Sequence, residues 1–127
     1  MNNAELLKNA RNEMLKLHKN MLDHERSIYE GINGKKTPTE FLNLLLEDPD
    51  FAWLRKFSTL IVEVDEMFAQ KDGYDDETVD ALLANVKRLV NMEDEDEEFK
   101  AKYQSALQQD IEAASNHGNL RSLLFDL

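Results

Sequence analysis

The amino-acid sequence predicts an all-α fold: an antiparallel up-and-down four-helix bundle with one additional short helix between the first and second long helices. Three observations predict it. Apolar residues recur at helical spacing along nearly all of the 127 residues. Only four Gly and two Pro are present, too few for a turn-rich β fold. The breaks in the pattern carry capping residues, proline or glycine, and the connections between them are short. A chain of this length reads as one domain, 1–127, large enough to bury a core without disulfides or a structural metal.

The first helix is expected from about Asn3 to Glu30. Leu7, Met14, Met21 and Ile28 recur at heptad spacing, and Leu15, Leu22 and Tyr29 widen them into a stripe. Gly31 and Asn33-Gly34 end it. Thr37-Pro38-Thr39-Glu40 combines a capping box with proline at the first helical position and starts the short second helix. Asp48-Pro49 repeats that signal for a third helix to about Gln70, with Phe51, Trp53 and Phe57 expected in its core rather than in a docking patch. Asp72-Gly73 breaks the third helix, and Asp75 or Asp76 caps a fourth that ends at about Asn91. A fifth is expected from about Asp94 to Asn116, its acidic opening favoured by the helix dipole, with Gly118 as its stop. Residues 119–127 form an apolar tail that either seals the bundle or docks on another subunit.

Composition narrows the chemistry. There is no cysteine, which excludes disulfides, thiolate metal sites and cysteine catalysis. The formal net charge of −11 repels phosphates and anionic lipid, so neither nucleic acid nor membrane is an expected partner. No apolar run is long enough to span a bilayer, and no basic, apolar leader opens the chain. A cytoplasmic location is the expectation.

Placed at about 100° per residue, His18 and Glu25 fall within the apolar stripe of the first helix, and Ser58 and Asp65 share the stripe of the third. The interior is therefore expected to hold His18, Glu25, Ser58 and Asp65, with Arg11, Arg26, Arg55 and Tyr29 as possible partners. A structural network that fixes which helix faces which is the first reading. The second is a metal or small-ligand site using His18, Glu25 and Asp65. The Glu-x-x-His pairs of di-iron bundles do not occur, and no cofactor is expected. A buried His18 would titrate away from its free value of about 6.5. Catalysis finds little support, because no nucleophile elbow, phosphate loop or glycine-rich cofactor turn is present. The acidic run Glu93–Glu98 lacks the glycine and ligand spacing of an EF-hand loop.

Asp48-Pro49-Asp50-Phe51-Ala52-Trp53-Leu54, followed by Leu60-Ile61-Val62 and Asp65-Glu66, resembles a group of uncharacterised bacterial proteins of similar length. The resemblance implies a helical bundle in a bacterial cytosol and no catalytic residue. Together these readings favour a non-enzymatic module that binds a protein partner or itself, with the metal- or small-ligand-binding bundle as the alternative.

Overall fold

A computed structural model of the chain describes residues 1–125. Six helices follow one another: α1 (Asn3–Asn33), α2 (Pro38–Glu47), α3 (Ala52–Phe68), α4 (Asp76–Val90), α5 (Glu97–Gln109) and α6 (Ile111–Phe125), with a 3-10 turn over Pro49–Phe51. Among the described residues there is no strand, so the all-α expectation holds.

Side chains take up the free N–H groups at the helix starts. Asn2 accepts from the Glu5 amide at 2.8 Å. Thr37 and Glu40 form the expected reciprocal capping box, at 3.2 and 3.0 Å. Asp75 accepts from the Thr78 amide at 2.8 Å and Asp96 from the Phe99 amide at 3.1 Å. Each cap of this kind contributes about 1 kcal/mol. The last turn of α4 closes differently. Met92 N–H bonds Leu89 O at 3.1 Å and Glu93 N–H bonds Arg88 O at 2.9 Å, a Schellman closure. It sets Met92 at φ 59, where glycine is the usual occupant.

The core gathers around α1, which packs on α3, α4 and α6. Leu7, Ala10, Met14, Leu17 and Met21 are its buried members, an alternating three- and four-residue spacing. From α3 come Trp53, Leu54, Phe57, Leu60, Ile61, Val64 and Met67. Phe57 is the aromatic hub. Its ring meets Tyr103 at 5.1 Å, Phe99 at 5.9 Å and Trp53 at 6.4 Å between centroids. The third-helix aromatics are thus core, as expected. Arg55 fastens α2 to α3 by donating to Leu45 O at 2.7 Å, a carbonyl that the end of α2 leaves unpaired, and to Asp48 O at 2.8 Å, which also accepts from the Phe51 amide at 3.1 Å.

Two expected elements are corrected. The long fifth helix is two helices, broken at Asp110, whose extended backbone (φ −122, ψ 111) ends α5. Its carboxylate accepts from the Glu112 amide at 3.1 Å and so restarts the chain as α6. The start at Asp94 moves to Glu97, because Asp96 takes the capping position and Asp94 turns to Lys56 at 2.7 Å. Gly118 is not a stop. It lies inside α6, and what was expected as a tail is the second half of that helix, with Leu120 and Leu124 buried. Leu127 lies outside the described residues.

Candidate functional site

The polar residues expected inside the bundle lie along its seams. Among the described residues no polar or charged residue is buried. Asp65 is exposed and takes Arg11 across the α1–α3 seam, with guanidinium Nε and Nη2 each 2.9 Å from a carboxylate oxygen. Ser58 is half-buried and donates back to its own helix, to Arg55 O at 3.3 Å. His18 and Glu25 are half-buried on α1. The displacement has a simple cause. Ala10 and Leu17 swing the buried stripe of α1 so that His18 stands about 60° from its centre. In α3 the buried set is centred between Trp53, Leu54 and Phe57, so Leu54 is at the stripe's edge and Asp65 stands about 90° away.

Burial governs the titration of the two α1 groups. It holds the His18 imidazole below its ordinary pKa and raises that of the Glu25 carboxyl. A carboxylate against His18 would act the other way. Glu25 also feels His24 and Lys102, which favour its charged form. His18, Glu25 and Asp65 do not come together: among the described residues no three His, Asp or Glu side chains are grouped to hold a metal. Of the possible partners, Arg11 meets Asp65, while Arg26 pairs with Glu30 at 3.3 Å and stacks over Phe41 at 5.0 Å.

What distinguishes the surface lies at the far end of α1. The 31-residue helix is roughly 46 Å long, and no residue after Met21 is buried. The heptad face nevertheless continues. Ile28 is 42% exposed and Ile32 is 79% exposed on the face that buries Met14 and Met21. Against this projecting end lies α2, joined through Phe41, Phe51 and Tyr29, whose rings meet at 5.7 Å. Leu42 and Leu46, one helical turn apart on α2, are 53% and 62% exposed. Beside them an open groove of about 510 Å³ is lined by residues including Tyr29, Leu44 and Pro49, with Lys36, Glu40 and Glu47 among its polar members.

A second feature escaped the sequence. The Tyr103 hydroxyl lies 2.8 Å from Nδ1 of His117, joining α5 to α6. In one continuous helix these residues would stand roughly 21 Å apart. Only the break at Asp110 brings them together, and an aspartate before Ile111-Glu112 was the available sign of it. Comparison with protein-family models, with curated proteins and with solved structures found no match for this chain. No helix is long and apolar enough to cross a membrane among the described residues.

Proposed function

We propose that this chain is a non-enzymatic helical module that binds a protein partner, or a second copy of itself, through the projecting end of α1 and the outer face of α2. The observation that carries this reading is the exposure of Ile28, Ile32, Leu42 and Leu46 in one stretch of chain. Exposed apolar side chains gathered on one part of a surface mark interaction sites. The C-terminal segment no longer contributes, since Leu120 and Leu124 pack inside. A bacterial cytosolic setting belongs to the same proposal and rests on the absence of cysteine and on the Asp48–Leu54 resemblance.

For the scaffold we propose the up-and-down antiparallel bundle, with α6 rather than a long fifth helix in the last position. Residue pairs support it. Arg11 meets Asp65 and Tyr29 meets Phe51, so α1 and α3 run oppositely. Asn20 meets Asn116 and His24 meets Gln109, which sets the α5–α6 end against α1 in the same sense.

Photo-crosslinking in cells tests the binding surface. A crosslinking residue at position 32 or 46 is expected to trap protein adducts, and one at the exposed Glu63 of α3 is not. Equal trapping at all three positions, or none at 32 and 46, overturns the reading. Sedimentation over a concentration series then separates self-association from a different partner.

A further inference from the structure

The contact between α5 and α6 is polar within apolar surroundings. Tyr103 is 0% exposed, and its ring meets that of His117 edge to face at 5.4 Å. With the imidazole neutral and its proton on Nε2, the buried hydroxyl donates to Nδ1. The next residue, Gly118, is an exposed glycine inside a helix. A Cβ there would meet open space, so packing does not require the glycine, and the helix is intrinsically weak at that point.

We propose that Tyr103 and His117 form a pH-responsive clasp: proton uptake by His117 in mild acid loosens α6 from Gly118 to Phe125 and uncovers Leu120 and Leu124. A protonated imidazole carries hydrogen on both ring nitrogens. Nδ1 then turns from acceptor to donor, and the hydrogen of the fully buried Tyr103 loses its acceptor. The new cation also stands near Arg121, the charge felt by both rings.

Among the described residues no carboxylate offsets that charge: on α6 itself, Glu112 is taken up by Asn20, which donates to it at 3.2 Å, and only Arg121 acts on the His117 ring. From α3, Phe57 faces Tyr103. On α4 the buried face is Val79, Leu83, Val86, Leu89 and Val90. On α1, Asn20 bonds Asn116, His24 bonds Gln109 at 3.1 Å, and Glu13 pairs with Lys16 at 3.3 Å in the groove beside Asn119. Burial and Arg121 both hold His117 below its ordinary pKa. Local opening of α6 therefore grows as pH falls below about 6.5, by at most about tenfold per pH unit.

Hydrogen exchange on the full chain at pH 7.5 and 5.5, corrected for intrinsic exchange, reads this directly. Amides of residues 118–125 are expected to open severalfold more at pH 5.5. In His117→Asn, whose side-chain oxygen accepts in place of Nδ1 without titrating, that increase disappears. It persists in His18→Asn and His24→Asn. An unchanged wild type, or a His117→Asn variant that responds like wild type, overturns the proposal. Should His117→Asn fail to fold, NMR titration of His117 in the wild-type chain decides, since exchange at 118–125 must begin to rise near pH 6.5 and level off at the His117 midpoint; a rise that continues well below that midpoint overturns the clasp.

Discussion

Arg11 grips Asp65 with two parallel hydrogen bonds of 2.9 Å, a fork-on-fork pair that ties α1 to α3 at the bundle surface. The geometry is the strongest that an ion pair adopts, but its members keep 28% and 49% of their side-chain exposure. Water and salt therefore screen the pair. Asp65→Asn is expected to lower stability by about 0.5–1 kcal/mol, and the loss should shrink in high salt. Urea unfolding at two ionic strengths measures both. A loss above about 3 kcal/mol would belong to a buried pair and would contradict the exposure described here.

The heptad of α1 makes a sharper contrast. Met14 and Ile28 occupy the same position two heptads apart, yet Met14 is 0% and Ile28 42% exposed. Met14→Ala should cost about 2–4 kcal/mol, the usual range for emptying a core site. Ile28→Ala should cost roughly 0.5 kcal/mol or less, as surface changes do. Chemical denaturation of both variants at low protein concentration decides. If Ile28→Ala costs as much as Met14→Ala, the projecting end of α1 is covered in solution, and a second copy becomes the first candidate to cover it.

That contrast also shows what was legible in the sequence. Heptad spacing located the buried face of α1 to within one stripe width, and the caps at Thr37 and Asp75 marked helix starts through local chemistry alone. Periodicity cannot say where a facing helix ends, so Ile28 read like Met14. Nor does it fix the centre of a broad stripe. On α1 the stripe runs through small Ala10 rather than exposed Leu15, a shift of about half a stripe that sets His18 on the seam, and on α3 Leu54 lies at the stripe's edge rather than its centre, which does the same for Asp65. The break at Asp110 stayed hidden because the apolar period continues through it. With it went the Tyr103–His117 contact, a relation between two helices that had been read as one.

Stability should fall in mild acid before the carboxylates titrate. His18 and His117 both have folded-state pKa values below the unfolded value of about 6.5. The unfolded chain therefore binds protons first, and the stability present above that value is lost as pH falls through the folded values. Glu25 has the opposite sign. Its pKa is raised by burial, so it favours the fold below its unfolded value and disfavours it as pH rises through the folded one. It offsets part of the loss toward pH 4–5. Further loss follows in stronger acid, where Asp94, Asp75 and Glu40, held below their usual range by hydrogen bonds, must take up protons. Melting temperatures at pH 8, 6, 5 and 3 follow this course, and stability that rises between pH 7 and 6 would refute the histidine assignment.

The closure of α4 offers a test independent of any site. Met92 holds φ 59 without being glycine, because its N–H and that of Glu93 close the helix end on Leu89 and Arg88. A side chain in this left-handed region costs about 1–2 kcal/mol, a strain that glycine avoids. Comparing Met92→Gly with Met92→Ala isolates it, since both variants lose the half-buried thioether and its contacts with the core. The glycine variant is expected to be the more stable by about 1 kcal/mol, read as a difference in urea midpoint. At an ordinary helical position the order reverses, with alanine ahead by a similar amount. An alanine variant equal to or better than glycine would place residue 92 in right-handed backbone and remove the Schellman closure from the end of α4.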